Sequence, residues 1–569
     1  LLYGKNLFEA TALTLDELSR WLPTIPSSLP EDMRPMARAI IAETQEPIER
    51  LEQLGLGYLS LDRASSTLSN GERQRVAFAR AVRSRTTGVL YVLDEPSIGL
   101  HPSNVEGLLG VMDDLLGDGN SVVVIDHDVH VLERVNWIIE IGPGSGSHGG
   151  RVIAQGSVAQ VENDPASRIG PYLSGKRKVE VRSGVAEAHL FDEGAIHLET
   201  GKIHTVKPLS VDFPLGRLTS ITGVSGSGKT TLILESLVPA LVANFAGKAL
   251  PAHVHQIDPG DIERVHLIDS TPIGANIRST VATYSGVLDI LRRSFAALPA
   301  AKERGLKAGA FSYNTGSLRC PTCDGTGQIS LDVQFLPDVD IPCPDCGGSR
   351  YGKEAYQIRL PLQVLADEQD EIDAVAEADE ADKLGEAAGQ DGAYEQDEQV
   401  EPGSSLEPAH DDELSLPEIL SLTVDQLLAL CGNLPSVAVK LRTLSELGLG
   451  YLTLGEATPA LSGGEAQRLK LAGEMHKKQQ GTLFVFDEPT IGLHPHDVEV
   501  LLRVLQRLID KGATVIVIEH DLDMIANSDY VIDLGPGGGE AGGKIVATGT
   551  LADIAANPES ITGKYLLQE

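Results

Sequence analysis

Apolar runs that end in charged residues recur along this chain and predict its main elements. The stretches GVLYVLDE and TLFVFDE predict buried strands that end at Asp94–Glu95 and Asp487–Glu488. The stretch TVIVIEH predicts another strand, which ends at His520. GRLTSITG has the pattern of a strand, and TTLILESLV, which follows it closely, has that of a helix. Alternating strands and helices of this kind predict an α/β fold.

The two halves of the chain repeat each other in register. The motif GLGYL contains Tyr58 in the first copy and Tyr451 in the second, 393 residues later. The same offset separates LSNGERQR from LSGGEAQR, the two Asp-Glu pairs from each other, and His127 from His520. An offset kept without a net insertion over roughly a hundred residues predicts two homologous domains.

One phosphate-binding loop lies between the two copies. ITGVSGSGKTTL fits the pattern G-x-x-x-x-G-K-[ST] and has a predicted strand before it and a predicted helix after it. Its glycines allow backbone N–H groups to close around phosphate oxygens at a helix N-terminus, while the lysine reaches the β- and γ-phosphates and the following hydroxyl can ligate Mg²⁺. The residues expected to bind ATP and Mg²⁺ here are Gly223, Ser225, Gly226, Gly228, Lys229, Thr230 and Thr231.

The loop occurs once although the acidic strand end occurs twice. Lys229 precedes Asp487 by 258 residues, so a counterpart even about 100 residues before Asp94 would precede Leu1. We expect that the chain lacks an N-terminal part, which agrees with a first residue that is not methionine. A natural protein with one degenerate site is the alternative.

The residues at the strand ends suit the chemistry of ATP hydrolysis. Asp487 is expected to hold Mg²⁺ through water, Glu488 to polarise the attacking water and His520 to sense the γ-phosphate. The first copy offers the equivalent residues Asp94, Glu95 and His127. A structural histidine is the alternative for one copy alone, but the same spacing in both copies favours function.

The motifs LSNGE and LSGGE each precede a helix-like stretch. A serine and glycines before a helix can cap it or bind an anion. Together with the phosphate loop, these motifs are typical of ABC-type ATPases, in which two domains sandwich ATP head to tail. The residues expected to contact nucleotide are Ser69 and Gly71 in the first copy, and Ser462, Gly463 and Gly464 in the second.

Four cysteines are spaced as two knuckles, C-x₂-C-x₁₉-C-x₂-C. Cys320, Cys323, Cys343 and Cys346 can present four thiolates to one structural Zn²⁺, and two disulfides are the alternative. Between the knuckles, apolar residues alternate with polar ones from Ile329 to Phe335 and predict a half-buried strand. The fifth cysteine, Cys431, is expected to serve packing.

The formal net charge of −35 is concentrated in one segment. Residues Ala366–Glu413 hold nineteen acidic side chains and one lysine, which favours a disordered insertion, with a regulatory or DNA-mimicking role as the alternative. A basic stretch precedes the cysteines, and contact with DNA phosphates and a solvated helix face are both open for it. The candidate DNA-binding residues are Arg278, Arg292, Arg293, Lys302, Arg304 and Lys307.

Several segments resemble the UvrA proteins, the damage-sensing subunit of the bacterial excinuclease ABC complex. They are TPIGANIRSTVATYSG, FSYNTGSLRCPTC, QFLPDVDIPCPDCGGSRY, LGPGGGEAGGKIVATGT and ITGKYL, in the order of that family, together with the ATPase motifs. The resemblance implies an ATP hydrolase without nuclease activity of its own, which binds ATP, Mg²⁺ and structural Zn²⁺. It also implies lesion-bearing double-stranded DNA and UvrB as partners, UvrB through the missing N-terminal region, and a homodimer.

Three features depart from the family pattern. Ser270 stands where a glutamine is usual, Asn70 stands where a glycine is usual in the signature, and the acidic insertion is unusual. A UvrA-like paralogue that serves antibiotic self-resistance is therefore the alternative. A nucleotide-switched scaffold without turnover is a third interpretation, and a transporter ATPase lacks support.

The expected architecture is α/β, with two ABC-type P-loop ATPase heads, helical signature subdomains and an inserted zinc module with four cysteine ligands. Residues 1–60 would end the first signature subdomain, 61–175 would complete the first head and 176–186 would form a linker. The second head would comprise 187–270 and 456–569, interrupted by a zinc-bearing domain at 271–455. No apolar run is long enough to cross a membrane, and the protein is expected in the cytoplasm.

Overall fold

The chain divides into two compact units in a computed structural model. The first unit comprises Leu1–Gly144, His148–Ser270 and Lys478–Glu569, and the second comprises Ser145–Ser147 and Thr271–Lys477. The structure describes residues 2–68, 70–82, 87–142, 149–179, 182, 184–269, 271, 273–274, 277–331, 339–364, 412–475 and 477–567.

The strands of the first unit come from both sequence copies. They are β1 (Leu90–Asp94), β2 (Ser121–Ile125), β3 (Ile138–Gly142), β4 (Arg151–Gly156), β5 (Ala195–Thr200), β6 (Leu209–Pro214), β7 (Leu218–Thr222), β8 (Val254–Asp258) and β9 (Arg264–Ile268). The second unit contributes β10 (Gln328–Leu331), β11 (Val339–Pro342), β12 (Arg359–Leu362) and β13 (Asp412–Ser415). The first unit then resumes with β14 (Thr482–Asp487), β15 (Thr514–Ile518), β16 (Tyr530–Gly535) and β17 (Lys544–Gly549).

A six-stranded sheet forms the core of the second copy. Its order is β17-β16-β7-β15-β14-β9, and every pair is parallel except β16 with β17. All residues of β7, β15 and β16 are buried. The sequence of β15 is apolar after Thr514, as expected for a parallel strand covered on both faces, whereas β7 buries two threonines and a serine. Parallel strands bring their carboxyl ends to one edge. The phosphate loop, the Asp-Glu pair and His520 follow β7, β14 and β15 at that edge. A smaller sheet, β6-β5-β8, completes this head.

The first copy contributes only a partial sheet to the described structure. Strands β1 and β2 pair in parallel, and β3 pairs with β4 in antiparallel fashion. The apolar run predicts that β1 is buried, but its residues alternate, with Val92 63% exposed and Leu93 packed against the core. Ile125 of β2 and Ile141 of β3 are also exposed. Among the described residues, no strand lies beside β2 as β7 lies beside β15.

The helices of the first unit flank these sheets. They are Leu7–Thr11, Leu15–Trp21, Arg34–Gln53, Asn70–Val82, Pro102–Gly117, Val129–Leu132, Val158–Val161, Gly170–Leu173, Val238–Phe245, Pro495–Asp510, Leu522–Ala526, Leu551–Ala556 and Ile561–Leu566, with a π-helix at Thr231–Leu237. Short 3₁₀ helices are Leu22–Ser28, Ser65–Thr67, Glu187–His189 and Gly539–Ala541.

A histidine caps the long helix that follows each Asp-Glu strand. Nδ1 of His101 accepts the N–H of Ser103, and Nδ1 of His494 accepts that of His496. Proline follows each histidine, at the first helical position, where the missing N–H is not needed.

The second unit is mostly helical and contains two short antiparallel strand pairs. Its helices are Val281–Tyr284, Val287–Ala297, Pro299–Glu303, Leu416–Ser421, Val424–Leu428, Pro435–Leu444 and Gly463–Glu474, with a π-helix at Ser445–Leu449 and 3₁₀ helices at Ala308–Phe311, Lys353–Gln357 and Thr458–Ala460. Strand β10 pairs with β11, which agrees with the predicted strand at Ile329, while residues 332–338 are not described.

The acidic insertion lies almost entirely outside the described residues. It is flanked by β12 and β13, which pair so that Leu362 faces Asp412. The chain therefore leaves and re-enters the fold at neighbouring points, so the insertion can be accommodated without separating the strands that flank it. No helix of the described residues is both long and apolar enough to cross a membrane.

A buried ion pair holds the predicted linker against the second copy. Nη2 of Arg182 lies 2.8 Å from Oδ2 of Asp529, and their side chains are 4% and 0% exposed. The same oxygen accepts the N–H of Leu218 at the start of β7. Removal of one partner would leave the other charge buried without compensation.

We predict that Arg182→Met lowers the free energy of unfolding by about 3 kcal/mol. The matched control is Arg134→Met, which breaks an exposed pair with Asp113 and should change it by less than about 1 kcal/mol. Urea denaturation of the variants measures both effects. Adding Asp529→Asn to Arg182→Met should recover part of the lost stability. Equal losses of stability in Arg182→Met and Arg134→Met would contradict the prediction.

Candidate nucleotide site and zinc module

The phosphate loop depends on glycines at close backbone approaches. Gly223 has φ +132°, and a Cβ there would collide with the carbonyl oxygen of Leu534. Gly228 has φ +102°, and its Cβ would lie 2.8 Å from a methyl carbon of Val206. A side chain at either position would push the loop out of register with β7.

Lys229 lies buried inside this loop. Its Nζ donates to the carbonyl oxygens of Gly223 at 2.9 Å and Val224 at 3.2 Å. Burial lowers the pKa of Lys229 to about 8, although the carboxylates of Glu488 and Asp487 act in the opposite direction. The ammonium group is therefore held at the loop, where phosphate oxygens could replace the two carbonyls.

The hydroxyl groups beside Lys229 have different surroundings. Thr230 is exposed at the edge of the site, Thr231 donates to Glu235 at 3.2 Å, and Ser225 donates to the carbonyl oxygen of Gly99 at 3.4 Å. Thr230 is thus accessible to a ligand, and Ser225 makes contact with the first copy.

The acidic pair at the end of β14 is strongly perturbed. Burial, together with the neighbouring acid Asp269, raises the pKa of Asp487 to about 6. Burial and the charge of Asp487 raise the pKa of Glu488 to about 7, in spite of Lys229. Glu488 also has φ +48°, a left-handed conformation that is unusual for a glutamate and is common at functional sites.

His520 faces this glutamate from the end of β15. Its Nε2 lies 3.9 Å from Oε1 of Glu488, and its backbone N–H donates to Glu519 at 2.7 Å. Burial and the positive charge of Lys229 lower its pKa well below the ordinary value, so the ring is neutral. Nδ1 is buried and has no partner among the described residues.

The first copy closes this site from the opposite side. A Cβ on Gly226 would lie 2.7 Å from Cγ of Tyr58, so the tyrosine ring covers the phosphate loop. A Cβ on Gly99 would lie 3.2 Å from Oε2 of Glu488. Both closing residues belong to the first copy, and both contacted residues belong to the second. The arrangement agrees with the expected head-to-tail sandwich.

The first signature motif lies next to Tyr58. The hydroxyl of Tyr58 donates to Oε1 of Glu72, in the first turn of helix Asn70–Val82. Nη1 of the buried Arg75 donates to the carbonyl oxygen of Ile98 at 3.2 Å, and Gly71 packs against the same oxygen. Ser69 and the side chain of Asn70 lie outside the described residues, as does Ser270.

The counterpart in the first copy is present only in part. Glu95 has φ +45°, and Nε2 of His127 lies 3.7 Å from its Oε1. Gly492 of the second copy packs on Glu95, as Gly99 packs on Glu488. Asp94 ends β1, but the described residues contain no second phosphate loop.

The second signature motif belongs to the second unit. Ser462 caps helix Gly463–Glu474 by accepting the N–H of Glu465, whose carboxylate accepts the N–H of Ser462. Gly464 follows in the first turn. Tyr451 donates to Glu465, as Tyr58 does to Glu72.

Sequence reasoning missed Gly99 and Gly492 as site residues and gave Tyr58 no role. A signal was present, because each recurs at the 393-residue offset. The repeat marks them as equivalent, but which residue they contact depends on how the two copies pack.

The four cysteines of the second unit converge as predicted. Their sulfurs lie within 4.8 Å of one another; Cys320 Sγ is 3.9 Å from Cys343 Sγ, and Cys323 Sγ is 3.7 Å from Cys346 Sγ. Tetrahedral zinc–sulfur bonds of about 2.3 Å require sulfurs about 3.8 Å apart. All four cysteines are free of disulfides.

Backbone groups favour a thiolate at the first knuckle. Burial alone would raise the pKa of Cys323, but the N–H of Gly327, 3.3 Å from its sulfur, and the other cysteines lower the pKa to about 7. A thiolate is the zinc-binding form. Burial raises the pKa of Cys346 to about 12, so the fit of the four cysteines to a structural zinc ion rests on the distances between their sulfurs.

The candidate DNA-binding residues divide into two groups. Arg278 and Arg292 are partly buried and donate to the carboxylates of Asp324 and Asp289. The exposed candidates are Arg293, Lys302, Arg304 and Lys307, although Arg293 donates to the carbonyl oxygen of Asp289 and Arg304 donates to Gln357. The two partly buried arginines have a structural role in this conformation, whereas the exposed residues are accessible to a ligand.

These features define an ABC-type ATPase fold with a phosphate loop, a signature motif in each copy and an inserted four-cysteine module. No profile of a known protein family matches the chain. The chain is 40% identical over 569 residues to UvrABC system protein A of Aquifex aeolicus and, over the same length, 40% identical to that of Bacillus subtilis. It is thus homologous along its whole length to UvrABC system protein A, which confirms the resemblance to the UvrA family.

A solved structure agrees with this relationship. UvrA2 from Deinococcus radiodurans matches with a TM-score of 0.83 and 37% identity, and the match covers all of this chain and 64% of that one. The chain spans about half the length of the curated relatives it matches, 56% and 54% in the two named above.

We predict one zinc ion per chain, bound by the four cysteines. Cys343→Ser should abolish stoichiometric zinc, because three thiolates hold the ion less tightly and the hydroxyl is a poor ligand. The matched control is Cys431→Ala, since Cys431 is buried apart from the cluster and its pKa is raised to about 12. Metal analysis of the purified variants by mass spectrometry decides; zinc retained in Cys343→Ser would contradict the assignment.

Proposed function

We propose that this chain is the ATP-hydrolysing part of a DNA-damage recognition subunit of the excinuclease ABC system. The observation that carries the proposal is the composite site, in which Tyr58 and Gly99 of the first copy close on Gly226 and Glu488 of the second. Homology to UvrABC system protein A over the whole chain supports the same activity.

ATP would bind with its phosphates in the loop after β7. The ammonium group of Lys229 is already placed there, bound to two carbonyl oxygens that phosphate oxygens would replace. The glycines leave the loop N–H groups free of side-chain obstruction at the start of the following helix. Gly71 and Ser69 of the first signature would approach the γ-phosphate from the other head.

The acidic residues around Lys229 fit a divalent cation. Burial and repulsion raise the pKa of Asp487, so the pocket disfavours its accumulated negative charge. Thr230 offers an exposed hydroxyl and Asp487 a carboxylate, which are ligand types that Mg²⁺ accepts. Bound there, Mg²⁺ would neutralise charge on the phosphates. By the repeat, Asp94 would serve the other site.

Hydrolysis would depend on Glu488 and His520. Glu488 follows β14 in a left-handed conformation, and its carboxylate lies next to Gly99 of the first copy. Its raised pKa, about 7, suits a group that orients and polarises water at neutral pH. The neutral His520 can donate a hydrogen bond to the γ-phosphate. Glu95 and His127 would act in the same way at the other site.

The second unit would make the contact with DNA. Its zinc module and the exposed Arg293, Lys302 and Lys307 form the candidate contact to DNA phosphates. Lesions change the shape and deformability of a duplex, so a protein can select them without reading bases. Transfer of the marked site to UvrB completes the proposed role, which includes no nuclease activity.

The first copy would be completed by chain from outside this sequence. The exposed apolar faces of β1 and β2, with Val92 63% and Ile125 51% exposed, support a missing strand and phosphate loop. The family places the UvrB-binding region in the N-terminal part as well. A homodimer, a cytoplasmic location and the domain limits given above belong to the same proposal.

The ATPase should show a bell-shaped dependence of kcat/KM on pH. Below about pH 7 the raised pKa of Glu488 leaves its carboxyl protonated, so activity rises as pH rises through that value. Above about pH 8 Lys229 loses its charge, so activity falls again. Because these groups interact, the two limbs belong to the cluster as a whole.

The measurement is steady-state kinetics with magnesium in excess. The control is Lys229→Arg, whose guanidinium stays charged, so the falling limb should disappear while the rising limb remains. Activity that does not change from about pH 6 to about pH 9 would contradict the assignment of Glu488 and Lys229.

Damage recognition is tested by equilibrium binding of the full-length protein to a lesion-bearing duplex and its undamaged twin. Both are measured with and without ATP at one stated salt concentration, since phosphate contacts are salt-dependent. We expect a preference for the damaged duplex that depends on ATP. The Glu488→Gln variant should keep this preference, but the effect of ATP on its binding should differ from that in the original protein. Equal binding to both duplexes would refute the repair function and favour the self-resistance paralogue.

A further inference from the structure

His101 of the first copy is buried among residues of the second copy. It follows Gly99 by two positions and is 0% exposed. Its ring meets the ring of His520 edge-on, with centroids 5.9 Å apart, and that of Tyr565 at 5.7 Å. A residue of one copy thus contacts the candidate γ-phosphate sensor of the other.

The hydrogen bonds of His101 define its tautomer. Nδ1 accepts the backbone N–H of Ser103 at 3.2 Å, so this nitrogen carries no proton in the neutral ring. Burial lowers the pKa of His101 to about 3, so the ring is neutral. The proton therefore resides on Nε2, which donates to Oγ1 of Thr562 at 3.1 Å.

Thr562 connects this donor to the base of the phosphate loop. Its hydroxyl lies 3.3 Å from Oδ1 of Asp533 and 3.3 Å from Oγ1 of Thr222. Asp533 is an acceptor, so Thr562 uses its own proton there and accepts from His101. Thr222 immediately precedes Gly223. The chain of hydrogen bonds thus runs from the first copy to the start of the phosphate loop.

The equivalent histidine of the second copy lacks this connection. His494 likewise caps a helix and meets an equivalent tyrosine, Tyr172, at 5.8 Å. Its Nε2 is buried but has no partner among the described residues. The position that corresponds to Thr562 is Ile169, which offers no acceptor. The chain therefore contains a matched comparison for the hydrogen bond of His101.

We propose that His101 is a trans-acting positioning residue, which holds His520 and the base of the phosphate loop in register for ATP hydrolysis through Thr562. The proposal rests on the proposed ATPase function. His101 touches neither substrate nor the reacting atoms in this assignment; its Nε2–H bond and its ring edge set the position of groups that do.

The test is a comparison of kcat and ATP affinity in four variants of the full-length protein. His101→Ala should lower kcat about tenfold while the affinity for ATP, measured with a fluorescent nucleotide, changes less than about twofold. His101→Gln can place an amide donor near Nε2 and should recover most of the rate, whereas His101→Asn reaches only the Nδ1 position and should not. His494→Ala, the matched control, should leave the rate within about twofold of the original.

A double-mutant cycle identifies the path. Thr562→Val should slow hydrolysis alone, but should add little to His101→Ala, because both remove the same hydrogen bond. Additive losses, equal effects of the glutamine and asparagine variants, or an equal effect of His494→Ala would overturn the inference. If the unmodified protein shows no ATP turnover, the proposed function fails and this inference fails with it. Turnover that is insensitive to His101→Ala refutes only the inference.

Discussion

The ammonium group of Lys229 is buried together with the carboxylates of Asp487, Glu488 and Glu519, and this concentration of charge determines the rest of the site. Each charge is separately disfavoured by burial, so the pKa of Lys229 is lowered while those of the three acids are raised. Parallel strands force the groups together, because each acid follows a strand that ends at one edge of the sheet. Bound phosphates and a cation would supply the charges that the protein alone leaves unbalanced.

Closure by the opposite copy then restricts which residues the loops can use. Glycine is needed at Gly99 and Gly492, which have φ +65° and +66°, and a Cβ at either would crowd a glutamate carboxylate of the other copy. The distance from such a Cβ to the nearest carboxylate oxygen would be 3.2 Å at Gly99 and 3.1 Å at Gly492, so the repeat in the sequence is also a repeat in geometry. Each glutamate thus lies against a glycine of the other copy, so the surroundings of both Asp-Glu pairs depend on contact between the copies.

The sequence was sufficient for features that depend on local pattern. Gly223, Lys229 and the four cysteines could be identified because their spacing alone implies a loop or a knuckle, and the strands before Asp94 and Asp487 follow from apolar runs. Contacts between copies could not be predicted, since the partner of Tyr58 depends on docking of distant segments. The prediction that β1 is buried was wrong for the same reason. An apolar run predicts a strand, but the layer that covers a strand comes from other segments.

The two copies differ most where the repeat is otherwise strict. His101 and His494 occupy equivalent caps, yet only the first finds a hydroxyl at its Nε2, because Thr562 corresponds to Ile169. Nδ1 of His494 accepts the N–H of His496, so the proton of its neutral ring lies on Nε2, where a buried donor without a partner among the described residues is destabilising. The connected histidine serves the copy whose phosphate loop the chain contains. Among the described residues, the histidine with the hydrogen bond to a threonine therefore lies at the site of Lys229, and the equivalent histidine without it lies at the other site.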